Sequence, residues 1–358
     1  MADGVVVGIV STRTGDHAPI GTYCDEGALM AMEEINARGG IPMPGGGTPR
    51  PLRLVHADDE GTPQGAERAI ASLLSAHDPF LILGPDLSAL TYPTAHLTQR
   101  AQVFQFTSAL STRITRLGNP WLFRVRPHNG YRAAAAARFI AERRFRRLAV
   151  VYLNNELGQD GRITAEQALA RVGPAPLFAQ PVAGPEADLR GLVEMVRDAQ
   201  SDALLYWGTQ PAGAAVLRAL RAGSWKGTFL SNTMDDIFLA LAGEAAEGGL
   251  GLDCFAYSDP DPRIQEFRGR FRARWGKEPD AHVVSNADAL GLLGDAVARV
   301  GQDRHAVRHH LISGGAYRGI AHTYHFDAQG ELYGWATVYE IRNGKAIFLA
   351  KVEGLMER

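Results

Sequence analysis

The chain is poor in cysteine, has no long apolar run and carries almost no net charge. Two cysteines in 358 residues exclude a disulfide scaffold and a cysteine-rich zinc site. Cys24 and Cys254 lie far apart in sequence and read as free thiols. Lys+Arg is 37 and Asp+Glu is 39, so the formal net charge is -2. That balance gives no electrostatic reason to expect nucleic acid or an anionic membrane as partner. No apolar stretch approaches the ~18 residues of a membrane span. Ala133 to Ala137 sit between Arg132 and Arg138, which reads as a soluble helix. Met1-Ala2-Asp3-Gly4 leads straight into Val5–Val10, without a positive segment, apolar segment or cleavage site. Either the protein is cytosolic, or the chain begins after a removed signal.

Catalytic signatures are absent too. There is no G-x-x-x-x-G-K-[ST], no G-x-S-x-G, and no G-x-G-x-x-G opening the first helix. Gly45-Gly46-Gly47 precedes a strand, whereas a phosphate-cradling loop should follow one, so it reads as a surface turn. His305 and His309 have the i,i+4 spacing of a shared metal site, but no third ligand is evident, and the reading is a solvated helix face. His322 and His325 point to opposite faces of a strand. No catalytic residue, metal or cofactor is expected.

What is present is ordinary globular composition, 46% hydrophobic and 21% charged, at a length that suggests two domains. Short apolar runs predict strands at Val5–Val10, Leu52–Ala57, Phe80–Leu83 and Val103–Phe106. Helical periodicity places helices between them at Thr22–Ala37, Pro63–Ala76 and Ala89–Arg100. The pattern restarts with strands at Leu148–Tyr152, Leu177–Ala179, Ala203–Tyr206 and Thr228–Leu230. Helices at Asn129–Arg143, Gly161–Val172, Leu189–Ala199 and Pro211–Ala222 lie among these. Such alternation argues for βαβ units, hence an α/β chain of two doubly wound, parallel-sheet lobes. After Gly249–Phe255 come helices at Pro262–Trp275, Val283–Val300 and Asp303–Ile312. Strands at Ala321–Phe326, Tyr333–Ile341 and Ala346–Val352 close the chain, the last two as a hairpin about Arg342-Asn343-Gly344.

Ligands of open α/β sheets bind beyond the carboxyl ends of strands. Two such junctions carry hydroxyls. In Phe80–Ser88 a buried strand and a tight turn deliver Ser88 to a helix start. There it serves either as a carboxylate or carbonyl-oxygen ligand or as an N-cap. Phe106-Thr107-Ser108-Ala109 is the second. Neither has an adjacent general base, which favours binding over nucleophilic catalysis. Asp58-Asp59 reads as a charged loop start or a cation or ribose site. Asp235-Asp236 reads as helix N-terminal charge or a cation-binding carboxylate in a cleft.

A series of segments across about 340 residues resembles a known family. They are Gly8-Ile9-Val10 with Thr14-Gly15, Gly21 and Gly27-Ala28, then Glu33 to Ile41 reading EEINARGGI. Asp58-Asp59 with Pro63, Gly84-Pro85 with Ser88, Phe123-Arg124 and Gly158 follow. Gly248-Gly249 and Phe267 to Pro279, with Trp275-Gly276-Lys277-Glu278, complete the series. Their order and spacing are similar to the periplasmic solute-binding proteins of ABC transporters, in the leucine/isoleucine/valine-binding branch of the type I fold.

The resemblance implies two lobes joined by a three-strand hinge, with a ligand cleft between them. The first lobe would comprise 1–124 with 255–326, the second 125–254 with 327–358. It implies an extracytoplasmic, periplasmic protein that closes on a branched-chain or other small amino acid, or a related carboxylate or amide. Its partner would be an ABC permease. A cytosolic amide-type sensor on the same fold is the alternative, and an enzyme on a two-lobe scaffold a third reading. Carried over, Ser88 would hold the ligand carboxylate, and Ser108 and Ala109 would complete that site. Ile20 falls at a lining position that is often aromatic, and Leu157 where a tyrosine often covers the ligand. Thr209 and Gln210 match a second-lobe loop. Leu110 and Thr233 occupy the positions of the threonine and glutamate that engage an α-ammonium. Burying an ammonium without a charged partner costs several kcal/mol. So Asp235, Asp236 or Asp16 supplies the carboxylate, or the ligand lacks an ammonium.

Overall fold

A computed structural model describes residues 4–15, 17–232 and 234–353. The chain opens with β1 (Val5–Ser11), α1 (Ala18–Ala37), a small ribbon of β2 (Ile41–Met43) and β3 (Gly47–Arg50), and β4 (Leu52–Asp58). Next come α2 (Pro63–His77), β5 (Leu81–Leu83), α3 (Ser88–Ala101), β6 (Phe104–Thr107) and β7 (Leu122–Arg124). The pattern then restarts with α4 (Asn129–Glu142), β8 (Leu148–Leu153), α5 (Glu156–Val172), β9 (Phe178–Val182) and α6 (Arg190–Asp198). It continues through β10 (Ala203–Trp207), α7 (Gln210–Ala222), β11 (Thr228–Ser231), α8 (Asp236–Ala242) and β12 (Leu250–Asp253). The last part holds α9 (Pro262–Trp275), α10 (Ala281–Val300), α11 (Arg304–Ile312), a ribbon of β13 (Tyr317–Arg318) and β14 (Thr323–Tyr324), and β15 (Trp335–Arg342) with β16 (Lys345–Glu353). Among the described residues, no helix is long and apolar enough to cross a membrane.

Two compact units result: Met1–Pro127 with Glu266–Gly334, and His128–Gln265 with Trp335–Arg358. All three boundaries differ from the sequence expectation. Residues 125–127 go with the first unit, where the Val125 N–H donates to the Thr107 carbonyl at 2.9 Å. Residues 255–265 go with the second unit, because the Tyr257 and Ser258 hydroxyl oxygens accept the Ala346 and Phe348 N–H groups at 2.8 and 2.7 Å. Residues 327–334 go with the first, where Phe326 bridges Leu332 and the Arg124 N–H donates to the Gly330 carbonyl at 2.9 Å.

In the first unit the strands run in the order β4-β1-β5-β6-β7, all parallel. Side chains alternate between faces, as a pleated strand requires. Val5, Val7 and Ile9 of β1 and Leu81 and Leu83 of β5 pack with α1, α10 and α11. Val10 and Ile82 join Ala69, Ile70 and Leu73 of α2 on the other face. The middle of the first core is aromatic, with Phe104 in ring contact with Phe80, Phe106, Trp121 and Phe123.

In the second unit the order is β16-β15-β12-β11-β10-β8-β9. Only the β15–β16 and β12–β15 pairs are antiparallel. Leu204, Tyr206 and Phe229 face α6, α7 and α8. Leu205, Trp207 and Leu230 face α4 and α5. The Ala133–Ala137 run lies in that second layer, where small side chains let α4 approach the sheet closely. Asn343 and Gly344 have φ of 52° and 68°, the backbone that a two-residue hairpin turn needs.

Sequence-based element ends move by a few residues. The first helix begins at Ala18, because Pro19 is tolerated in a first turn. The helix expected from Gly161 begins at Glu156, capped by the Asn155 side chain accepting the Gly158 N–H at 3.0 Å. The expected Ala321–Phe326 strand contracts to Thr323–Tyr324.

Gly84 shows why one residue type is required at the end of β5. Its φ is +98°, and a Cβ there would lie 2.1 Å from the Val10 carbonyl oxygen. Gly84→Ala therefore combines left-handed backbone with a backbone collision and is expected to cost about 2 kcal/mol or more. Thermal unfolding of the variant checks this; a melting temperature equal to wild type would refute the packing assigned to that turn.

Candidate ligand-binding site

Each sheet reverses its strand order at one point. In the first unit the reversal lies at β1 and β5, with β4 beyond β1 and β6 beyond β5. In the second it lies at β8 and β10. Such switch points open a crevice at the strand carboxyl ends, because the connections leave to opposite faces.

At the first switch point, Ser88 opens α3 and is buried. Its Oγ accepts the Ser111 N–H at 3.1 Å, so its own hydroxyl hydrogen is left to donate. Ser108, Ala109 and Leu110 follow β6 on the loop that this bond secures, and all three are buried. The Ala109 N–H donates to Thr107 Oγ1 at 3.1 Å, while the Ser108 hydroxyl donates to Asp86. The Thr107 and Thr91 hydroxyls donate to the Pro85 carbonyl at 2.7 and 3.0 Å, tying the β5 turn to β6. Ile20 is buried in the first turn of α1. Cys24 lies one turn further along α1, on the same face. Burial pushes the Cys24 thiol up, and the neighbouring Asp86, Asp280 and Asp25 push it the same way.

Asp58 and Asp59 latch the loop that follows β1. Asp58 accepts the Arg13 N–H at 2.9 Å and the Thr14 hydroxyl at 2.8 Å. Asp59 accepts the Thr12 hydroxyl at 2.7 Å and the Gly61 N–H at 2.9 Å. Burial raises the Asp59 carboxyl despite those two donors, and the charges of Asp86 and Asp58 raise it further.

Arg124 has a role that no local sequence pattern indicates. Its guanidinium, fully buried, donates to the Ala109 carbonyl, to the Ser111 carbonyl at 2.7 Å and to Glu331 at 2.7 Å. Glu331 also accepts the Thr115 hydroxyl at 2.7 Å. One cation therefore shapes the loop that carries Ser108, Ala109 and Leu110. A buried arginine reached from residues 200 positions apart leaves no local signal in sequence. Arg126 donates to His282 Nε2 at 2.7 Å, which leaves the ring proton on Nδ1, 3.0 Å from Asp280. Burial alone would raise the Asp280 carboxyl. The His282 ring, two backbone N–H groups and Arg126 overcome it, and its pKa is lowered.

At the second switch point, Leu157 lies half-buried in the first turn of α5. Thr209 precedes α7 and Gln210 opens it. The Gln210 side chain donates to Asp235 Oδ2 at 2.7 Å, and Asp235 Oδ1 caps α8 by accepting the Phe238 N–H at 3.0 Å. These bonds bring Thr209, Gln210 and Asp235 together, and Asp235 has the helix-terminal role weighed from sequence. Thr233 and Asp16 lie outside the described residues. Asn129, not singled out from sequence, donates to the Leu157 carbonyl at 3.4 Å and to Asp160 at 2.9 Å. Its Oδ1 is buried with no donor among the described residues.

His305 meets the Trp121 ring edge-on and takes no part in either cluster. Gly45 to Gly47 are exposed. Both cysteines are buried and unbridged.

The sequence profile of the family described as periplasmic binding protein matches residues 4–346. A leucine-, isoleucine-, valine-, threonine- and alanine-binding protein of Pseudomonas aeruginosa is 23% identical over 344 residues, covering 95% of this chain and 90% of that one. A leucine binding protein from Thermotoga maritima superposes with a TM-score of 0.85 at 21% identity, over 98% of this chain and 99% of its own. An ABC transporter solute-binding protein from R. palustris, solved with benzoate, superposes with a TM-score of 0.86 at 18% identity, over 99% and 98%. At these identities the superpositions establish the fold, that of type I periplasmic binding proteins.

Two outcomes test the electrostatics. Arg124→Met leaves Glu331 buried without a counter-charge and should cost about 3–5 kcal/mol, with part recovered in the Arg124→Met, Glu331→Leu pair. Chemical denaturation measures both; additive losses would contradict the pairing. For Asp280, a lowered folded pKa means that its stabilisation is present above the ordinary carboxyl range. It is lost as pH falls through that range to the lowered value. Melting curves between pH 7 and pH 3 should therefore fall less steeply for Asp280→Asn than for wild type.

Proposed function

The chain belongs to the periplasmic binding protein family, and from that premise we propose that it is the extracytoplasmic solute-binding component of an ABC importer. The solute is a branched-chain or other small amino acid, or a related small carboxylate or amide. The observation that carries this reading is the equipment of the two strand-reversal points. Each holds fixed hydrogen-bonding groups and apolar side chains. Ser88 and the Ser108–Leu110 loop in the first unit, and Leu157, Thr209 and Gln210 in the second, are the proposed solute contacts. Ile20 adds apolar surface.

Names of relatives support the solute class. The Pseudomonas aeruginosa protein is described as binding five aliphatic or hydroxylated amino acids, and the R. palustris structure contains benzoate. The partner, on this reading, is the importer's permease, and the location is the periplasm. Capture by closure requires that the solute bind the closed state more tightly than the open one.

A thermal-shift screen of amino acids, short amides, urea, and aliphatic and aromatic carboxylates tests the proposal. A solute at 100 times its dissociation constant should add about 2.7 kcal/mol, a rise of a few degrees in a chain of this length. Solution scattering at saturation should show a smaller radius of gyration. A flat screen, or an unchanged radius with a tightly bound solute, would count against the proposal or against closure respectively.

A further inference from the structure

Arginines crowd the turn that leads from α4 into β8 in the second unit. Arg143, Arg144, Arg146 and Arg147 are all exposed. Helix α4 closes here in a Schellman turn: the Phe145 N–H donates to the Ile140 carbonyl at 3.2 Å, and Arg144 takes a φ of +59°. A helix C-terminus favours cations, which accounts for Arg143 and Arg144. Arg146 and Arg147 lie beyond that turn. The Arg147 guanidinium donates to the Ala199 carbonyl at 2.6 Å, at the end of α6. Among the described residues, none of the four is ion-paired with a carboxylate. Exposed arginines elsewhere are paired: Arg68 with Glu60, Arg190 with Asp188 and Arg299 with Asp295.

The sheet brings further groups to the same edge. The strands β11, β10, β8 and β9 start side by side. The Asp202 N–H donates to the Arg147 carbonyl at 3.0 Å, the Thr228 N–H to the Asp202 carbonyl at 2.9 Å, and the Leu177 N–H to the Leu148 carbonyl at 2.7 Å. Lys226, just before β11, adds an exposed cation. Asp202 adds a negative charge, and its carboxylate is taken up by the Arg146 and Arg147 N–H groups at 2.9 and 3.0 Å. Beside these charges, Val172 at the end of α5 and Leu177 before β9 are 53% and 45% exposed.

This edge is therefore strongly positive, which the chain's net charge of -2 conceals. Its apolar side chains discriminate between polyanions. An exposed valine and leucine gain nothing from a nucleic-acid backbone, whereas they enter the headgroup layer of a bilayer. Arginine suits the same boundary, since its fork binds phosphate while its methylene stem covers apolar surface. We propose that the strand-start edge of the second unit docks on an anionic phospholipid bilayer. Arg143, Arg144 and Arg146 meet lipid phosphates, and Val172 and Leu177 enter the headgroup layer. Leu157, Thr209 and Gln210 lie at the other ends of the same strands, so a bilayer here leaves them uncovered. A chain held in this way searches a surface rather than a volume. The inference does not depend on which solute is bound.

Co-sedimentation of the full chain with vesicles tests it. The vesicles are pure phosphatidylcholine, pure phosphatidylglycerol and an equal mixture of the two. The chain should pellet with phosphatidylglycerol and with the mixture but not with phosphatidylcholine, and molar salt should release it, because salt screens exposed charges. Each arginine at an anionic surface is worth roughly fivefold in partitioning, so Arg143→Gln, Arg144→Gln and Arg146→Gln together should weaken binding on the order of 100-fold. Arg68→Gln, Arg190→Gln and Arg299→Gln together change the net charge equally, and should leave binding unaltered. Leu177→Ser should weaken binding a few fold and keep its salt dependence. Melting temperatures report the folding of each variant, and the comparison of lipids on wild type needs none. A chain that stays in the supernatant with phosphatidylglycerol, or equal losses in the two triple variants, overturns the docking surface. Tighter binding to a DNA duplex than to vesicles at equal phosphate concentration overturns the lipid as its partner. A Leu177→Ser variant that binds like wild type overturns the apolar contact.

Discussion

The first unit depends on one buried cation. Arg124 ends β7, and its guanidinium spans the Ala109 and Ser111 carbonyls on one side and the Glu331 carboxylate on the other. The planar fork of arginine suits this task, since it can reach three acceptors in fixed directions where a lysine ammonium offers a point charge. Without Glu331 the guanidinium would sit buried and uncompensated at the strand-end edge of the sheet. Without Arg124 two loop carbonyls would lose their donor, and the loop bearing Ser108, Ala109 and Leu110 would lose its shape. The second unit has a parallel device, in which buried Arg132 pairs with Asp253 at 2.5 Å.

Charge at the first strand-end edge is therefore sorted by partner. Carboxylates that shape loops are saturated with donors: Asp58 by Arg13, Thr14 and Glu60, and Asp280 by His282 and Val283. Asp86 accepts the Ser108 hydroxyl and is also bonded to the Cys24 side chain.

The elements and their order were legible in the sequence because both units are runs of short apolar strands and amphipathic helices. The positions of Ser88 and Ser108 at strand ends were legible for a related reason: a hydroxyl after a buried strand is a local pattern. The bonds of Asp86 to Ser108 and Cys24 were not, since an acid in a turn looks like any solvated loop residue until its neighbours are known. Arg124 and Glu331 were hidden by separation, because their bond joins residues that sequence spacing cannot relate. The unit boundaries moved for the same cause. Tyr257 and Ser258 bond to β16, close to the other end of the chain, and so belong with the strands they touch.

The hydroxyl of Tyr339, on β15, accepts the Met234 N–H at 2.9 Å. Met234 directly precedes Asp235 on the loop after β11, so the shape of that loop depends on a strand translated about a hundred residues later. Glu331 stands in the same relation to Arg124. As the chain emerges from the ribosome, both strand-end clusters are synthesised early and lack their supports until the last strands appear. Shaping of these loops thus waits for segments made about a hundred residues or more later, and a chain lacking them would present the loops unshaped and Arg124 without its counter-ion.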